Sequence, residues 1–149
     1  MALPTVGGLL CLSTSRQSAT IFTGVDTGDV TVEVFQHQTA PPIHDEATWE
    51  DIAWITLDVP SGTMFATGVY GDGTTENISP GAGLLLIRCS AKGRDAAPGA
   101  FLEGDSAEIY RLDVWPVGIG DDPQQGVIKA TSETSRNVQE YTEGESSQE

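Results

Sequence analysis

The sequence predicts an all-β domain, a single β-sandwich or partly open barrel of about seven or eight antiparallel strands, from two observations. The 17 Gly and 8 Pro residues divide the chain into short runs, many of them rich in β-branched or aromatic residues. Several runs also alternate apolar and polar residues with a period of two, as half-buried strands do. These breaks leave little room for long helices.

The predicted strands follow the runs in chain order. They cover residues 6–13, 18–24, 29–37, 52–59, 63–70, 83–91, 107–116 and 126–131. Alternation is clearest through 30–34 and 110–114, where every second residue is apolar. Residues 84–87, LLLI, are apolar on both faces, which predicts a central strand covered on each side.

Turns and less regular segments separate the strands. Pro60-Ser61-Gly62 predicts a tight turn, and 92–104 predicts a longer loop. A pair of prolines and then several acids follow the third strand. There the sequence predicts a helical turn over 46–53, with Asp45 as its N-cap.

The C-terminal segment differs in composition from the rest of the chain. Residues 132–149 are polar and acidic and show no apolar periodicity. Such a segment buries too little apolar area to offset the entropy that is lost on ordering. We therefore expect a β domain over 1–131 and a flexible acidic tail over 132–149, which should be dispensable for folding.

The charge of the chain restricts its partners. Seven Lys or Arg residues face 22 Asp or Glu residues, a formal net charge of −15, and residues 1–87 carry ten of the acids against one base. This balance opposes nucleic acid and anionic membranes and favours a basic protein partner. The start of the chain does not resemble a secretory signal, and no run approaches a membrane span of about 18 apolar residues. The cytoplasm is the predicted compartment.

Residues able to carry chemistry are present, but they form no recognised motif. Cys11 and Cys89 lie in separate apolar runs and are expected to be buried thiols. His37 and His44 lack the spacing of a metal site, and residues 71–77, GDGTTEN, indicate a turn in preference to a calcium loop. No nucleophile or phosphate-loop motif occurs. The sequence therefore predicts neither an enzyme nor a cofactor.

One acidic run is the candidate partner-binding site. It comprises Asp45, Glu46, Trp49, Glu50 and Asp51. A Trp anchor among carboxylates suits a partner rich in Lys or Arg. This interpretation predicts an inhibitor or immunity-type protein that occupies the basic cleft of a nuclease or toxin. The alternative is a solvated surface with the Trp in the core.

Two further functions stay open at this point. An assembly module, such as a phage or sheath component, would pair edge strands between copies and form homo-oligomers. A small-ligand binding domain would use Arg88, Arg94 or Arg111 to hold an anionic ligand. The mass in solution separates the assembly module from an inhibitor, because the module should self-associate.

A longer pattern runs from Trp49 to Val117. It reads WEDIAWITLDVPSGT, then SPGAGLLLIRCSAKGRD, and finally AEIYRLDVWPV. The order of VPSGT, SPG, GRD and VWP resembles small acidic all-β proteins of actinobacteria and, more distantly, the competence nuclease inhibitor family. The resemblance covers under half of the chain and consists of turns, a core strand and a terminal Trp. It implies an all-β fold and transfers no functional residue.

Overall fold

Two β-sheets make up most of the regular structure in this computed structural model, which describes residues 5–43, 45–68, 73–118 and 124–139. The elements are β1 (Leu10–Leu12), β2 (Ala19–Ile21), β3 (Thr27–Gln36), a 3-10 helix (Glu46–Thr48), β4 (Asp51–Val59), β5 (Gly83–Lys92), β6 (Phe101–Pro116), β7 (Gln125–Ala130) and an α-helix over 133–139. β1 and β2 form an antiparallel pair, and the other five strands form the large sheet. The prediction of a mainly β fold is confirmed.

The large sheet is open and mixed. Its strand order is β3-β6-β5-β4-β7, so β3 and β7 are its edges and the described strands do not close into a barrel. β4, β5 and β6 are antiparallel neighbours, whereas β3 pairs with β6 in parallel. The prediction of antiparallel strands throughout is therefore wrong at this pair. Strands that run in the same direction need a crossover connection, and here the chain leaves β3, crosses the sheet past β6 and β5, and returns as β4.

One face of the large sheet carries the hydrophobic core. The N-terminal segment and β1 cover alternate residues of the central strands. The buried residues of this core are Val6, Leu9, Leu10, Leu12, Ala53, Ile55, Leu57, Val59, Ile78, Leu85, Ile87, Cys89, Ala91, Tyr110, Leu112 and Val114. Val30, Val32 and Val34 continue the same face to β3, where they are half-buried. β5 lies in the middle of the sheet, so the prediction of a central strand at 84–87 is confirmed.

Part of the opposite face lies under the crossover between β3 and β4, whose described residues are 37–43 and 45–50. Arg88 of β5 donates from Nη1 to the carbonyl oxygen of Pro41 at 3.1 Å, which fastens the crossover to the sheet. Asp113 and Trp115 of β6 are buried on this face. The polar residue Asp113 is therefore buried at the part of this face that the crossover covers, and local sequence does not show where a crossover runs.

The predicted strand at 63–70 does not form over its described part, 63–68. A side chain replaces a backbone partner there, because the Met64 amide donates to Asn77 Oδ1 at 2.9 Å. That amide is not available to a neighbouring strand, and the segment is a hydrogen-bonded loop. The last two residues of the predicted strand lie outside the described residues.

The helical turn predicted over 46–53 is shorter than expected. Only Glu46–Thr48 are helical, and β4 begins at Asp51. Asp45 occupies the predicted N-cap position, in a left-handed conformation with φ 52°, but its side chain makes no capping hydrogen bond. β4 forms where the sequence predicts helix, because residues 52–57 are mostly buried between β5 and β7.

The chain continues along the domain beyond the boundary that the sequence predicted. Residues 132–139 are described, and Ser132 and Ser135 are buried. Hydrogen bonds attach this segment to the β domain. Ser132 donates from its amide and from Oγ to the Asp51 carboxylate. The rest of the predicted tail, 140–149, lies outside the described residues.

Removal of residues 132–149 should lower the free energy of unfolding by about 2–3 kcal/mol. A hydrogen bond to a charged group is worth about 1.5–3 kcal/mol, and water replaces part of what is lost. Thermal denaturation of the full chain and of a chain that ends at residue 131 measures the difference. A chain that ends at residue 139 is the control and should melt as the full chain does. Equal stability of the shortest chain would show that the tail is dispensable.

Candidate functional site

Arg94 is a fully buried arginine that joins its own loop to four other parts of the chain. Arg94, in the loop between β5 and β6, donates from Nη1 to Asp51 Oδ2 at 2.9 Å and to Ser135 Oγ at 2.6 Å. From Nη2 it donates to the carbonyl oxygens of Gly8 at 2.8 Å and Phe22 at 2.7 Å. Both charged side chains are inaccessible to solvent. We call this cluster the Arg94 tie, and its role is structural because a ligand cannot reach it.

A second buried carboxylate, Glu108, lies beside the Arg94 tie. It accepts the amide hydrogens of Gly24 and Val25, both at 2.7 Å, and a hydrogen bond from the Tyr110 hydroxyl. A Cβ at Gly24 would lie 2.1 Å from the Arg94 carbonyl oxygen, so a larger residue does not fit. Burial and, after it, the hydrogen bond to Glu108 raise the pKa of Tyr110. The phenol therefore stays protonated and acts as a structural donor.

Two residues of the predicted acidic run belong to the interior. Asp51 is fully buried in the Arg94 tie. Trp49 is also buried, and the Lys92 ammonium lies 5.0 Å from the centre of its ring in a cation–π contact. Both side chains are buried, so they do not belong to the exposed surface of the predicted patch, and their part in partner binding stays a prediction.

The other three members of the run lie nearer to solvent. Glu50 is half-buried and accepts from the Gly93 amide at 2.6 Å, which fixes the loop after β5. Asp45 and Glu46 are exposed at the 3-10 turn. Partner binding by this run stays a prediction, and the structure restricts its exposed part to these two carboxylates.

Three basic side chains surround Asp113 of β6. His37 Nε2 lies 2.8 Å from Oδ1, Arg111 Nε donates to Oδ2 at 3.1 Å, and Arg88 Nη2 lies 3.6 Å from Oδ2. Burial by itself raises the pKa of Asp113, but hydrogen bonds from Arg111 and His37 and the nearby positive charges outweigh it, so this pKa lies below its ordinary value. Arg88, Arg94 and Arg111, the three arginines predicted for an anionic ligand, therefore all form hydrogen bonds within the protein.

Part of the stability should be lost in acid through Asp113. A carboxylate whose pKa is lower in the folded chain stabilises the fold above the unfolded value of about 3.9, and this contribution is lost as the pH falls through the folded value. Asp113→Asn should be less stable than the parent at neutral pH and should lose less stability between about pH 5 and pH 3. Urea unfolding across this range checks the prediction, and parallel pH curves for the two proteins would contradict it.

Other reactive groups are few in the described part of the chain. Cys11 and Cys89 are free thiols, and burial raises the pKa of Cys89 to about 12. The predicted burial is confirmed for Cys89, whereas Cys11 is half-buried. No group of three His, Cys, Asp or Glu side chains among the described residues could hold a metal ion, and His44 and Asp72 lie outside them. No helix within the described ranges has the length and apolar character to cross a membrane.

Exposed carboxylates collect where β3 pairs with the first half of β6. Asp29 of β3 is opposite Asp105 of β6 in the parallel register, with a register shift on each side of Asp29, and both residues are exposed. Like charges opposite one another destabilise a sheet. Asp26, Glu33 and Glu103 are also exposed on these strands or next to them. We call these five residues the acidic edge.

Two aromatic rings accompany the acidic edge. Phe101, at the start of β6, is 75% exposed, and Phe35, near the end of β3, is 39% exposed. The Arg111 guanidinium lies 4.0 Å from the centre of the Phe35 ring. Residues 17–36 and 95–110 contain no Lys or Arg. Glu33 is opposite Arg111 in the parallel register, whereas Asp29 is opposite another carboxylate. The surface therefore combines an acidic patch with two exposed rings.

Sequence reasoning missed the acidic edge because its members come from two distant segments. Glu103 lies in the segment predicted to be a loop, but β6 begins at Phe101 and places it in a strand. One signal was present in the sequence: Glu33 alternates with valines in 30–34, which marks the polar face of a strand.

Comparisons of this chain with protein-family models, with curated proteins and with solved structures found no match. Function is therefore inferred from the residues of this chain.

Proposed function

We propose that this chain is a protein-binding domain of the inhibitor or immunity type, which binds a basic partner through the acidic edge. The observation that carries the proposal is the exposed like-charge pair of Asp29 and Asp105. Two carboxylates held opposite one another weaken the sheet. A Lys or Arg of a partner that lies between the two carboxylates compensates this repulsion, because hydrogen bonds between charged groups are stronger than hydrogen bonds between neutral groups.

The rest of the acidic edge supports the same kind of partner. Asp26, Glu33 and Glu103 widen the negative field, and the net charge of −15 steers a basic surface toward it. Exposed Phe101 offers an aromatic contact of the type enriched at protein interfaces. A nuclease or similar toxin with a basic cleft fits this description, because carboxylates can take the place of substrate phosphates there.

The other two functions receive less support. An assembly module would pair edge strands between copies, but two acidic edges repel one another, which leaves β7 with its exposed Val127 and Ile128. Sedimentation tests this alternative, because a monomer at high concentration contradicts it. For the small-ligand alternative, ligand pockets usually measure about 300–1,000 Å³. The cavity that Gln36, His37, Gln38 and Pro80 line has a volume of about 270 Å³, just below this range.

Capture with matched variants tests the proposal. An edge variant neutralises three carboxylates of the acidic edge, and a control variant neutralises three exposed carboxylates elsewhere. The substitutions are Asp29→Asn, Glu33→Gln and Asp105→Asn in the edge variant, and Asp58→Asn, Glu76→Gln and Glu133→Gln in the control variant. The parent and both variants are immobilised and exposed to the same extract of the source cell, and retained proteins are quantified by mass spectrometry.

A basic protein should be retained equally by the parent and the control variant. Its retention on the edge variant should fall by about tenfold or more, because close charge pairs at an interface contribute about 1.5 kcal/mol or more each. A third variant, Asp45→Asn with Glu46→Gln, should behave as the control does. Equal retention on the edge variant would contradict the proposal, and a loss confined to the third variant would move the binding surface to the 3-10 turn.

A further inference from the structure

The outer edge of β3 carries backbone groups that have no hydrogen-bond partner among the described residues. The His37 amide donates to the Val114 carbonyl oxygen at 2.8 Å, so residue 37 and every second residue before it direct their peptide groups to β6. The N–H and C=O groups of Val32, Val34 and Gln36 therefore point away from β6. On that side β3 has no strand neighbour within the described ranges.

The two faces of this edge differ in chemistry. Val32 and Val34 point to the core face, where they are half-buried and bring the apolar row of the sheet to its border. Glu33 and Phe35 point to the opposite face and are exposed. A strand added here would meet apolar side chains on one face and a carboxylate with an aromatic ring on the other.

We propose that the basic partner adds an extended segment to the outer edge of β3, as a sixth strand of the large sheet. This inference rests on the proposed function and specifies its mode of binding. The segment alternates residues such as Val, Ile or Leu, which extend the core face, with Lys or Arg, which meet Asp29 and Glu33 on the other face. Backbone hydrogen bonds supply the affinity, and the alternation of side chains supplies the specificity.

Charge disfavours two other occupants of this edge. A second copy of the chain would bring an identical acidic edge against Asp29 and Glu33, and like charges on paired strands oppose pairing. Residues 140–149 of the same chain contain four Glu and no Lys or Arg, so they meet the same repulsion. A basic segment of another protein is the occupant that the edge favours.

Two peptides of identical composition test the mode of binding. KVKVKVK alternates lysine and valine, whereas KKVVVKK carries the same charge without the alternation. In titrations of the full chain at low salt, KVKVKVK should bind about tenfold more tightly or better, since strand pairing adds backbone hydrogen bonds worth about 1 kcal/mol each. Equal affinities that the edge variant lowers equally would overturn strand addition and leave the proposed function standing. Absence of KVKVKVK binding would also overturn strand addition, and the capture experiment then decides the proposed function alone.

Methylation of the peptide amides identifies the backbone bonds. One version of KVKVKVK is N-methylated on its valines and another on its interior lysines. A strand pairs at one edge through one of these sets, so one version should lose binding by about tenfold or more and the other should keep it. Loss in neither version, or equal loss in both, would overturn the proposal.

A variant of the protein tests the same backbone hydrogen bonds by removing a donor from β3. Val32→Pro removes one outward N–H, which an edge strand tolerates on its open side. The variant should lose the preference for KVKVKVK over KKVVVKK while its circular dichroism spectrum stays that of the parent. A folded variant that keeps the full preference would overturn strand addition, and if the variant does not fold, the methylated peptides decide.

Discussion

Replacing Arg94 with Met should lower the free energy of unfolding by about 3–5 kcal/mol, because breaking a buried ion pair leaves the Asp51 carboxylate buried without its partner. The substitution also removes the donor to the carbonyl oxygens of Gly8 and Phe22. Met is unbranched and fills much of the same space, so the lost charge and hydrogen bonds account for the change. Urea unfolding measures it, against a total of about 5–15 kcal/mol for a typical domain.

The same substitution at Arg136 is the matched control. Arg136 is exposed, so Arg136→Met should change stability by roughly 0.5 kcal/mol or less. Adding Asp51→Asn to Arg94→Met should recover part of the loss, because the two residues act as one unit. A change for Arg94→Met as small as that of the control would show that the Arg94 tie does not hold the four segments together.

Replacing Trp115 with Ala should lower the free energy of unfolding by about 3–5 kcal/mol where the site cannot collapse around the smaller residue. Trp115 is 7% exposed near the end of β6, and the Arg88 guanidinium lies 5.2 Å from the centre of its ring. The substitution removes buried apolar area and a cation–π contact together. Trp115 lies within the strand that the sequence predicts over 107–116, and it is buried there.

Phe35→Ala provides the comparison for Trp115→Ala. Phe35 also contacts a guanidinium, but it is 39% exposed, so its removal should lower the free energy of unfolding by roughly 1 kcal/mol or less. Thermal denaturation of both variants separates the effect of burial from that of the cation–π contact. Equal losses would show that the crossover does not seal the face on which Trp115 lies.

Patterns that are local in sequence predicted the core of this protein. Alternation through 30–34 and 110–114 assigned Val32 and Leu112 to the core face, and the LLLI run marked the central strand. Whether an apolar side chain is buried depends largely on its own strand and the residues beside it. That information is present within a window of a few residues.

The buried polar residues could not be predicted in this way. Asp51 reads in sequence as part of a solvated acidic run, because its partners Arg94 and Ser132 lie far along the chain. Ser132 carries no apolar pattern, and it is buried because of the carboxylate that it donates to. Sequence analysis could not predict the acidic edge for a related reason, since Asp29 and Asp105 come together only when β3 pairs with β6 in parallel.

The salt dependence of association with the captured basic protein tests the proposed function most directly. Raising the salt should slow association far more than it speeds dissociation, because steering is screened beyond about 10 Å at 0.1 M salt whereas close contacts persist. At low salt the edge variant should associate as slowly as the parent does at high salt, and the control variant should associate much faster than the edge variant. If the edge variant associated as fast as the parent at low salt, the acidic edge would be only a solvated surface and the proposed function would be contradicted.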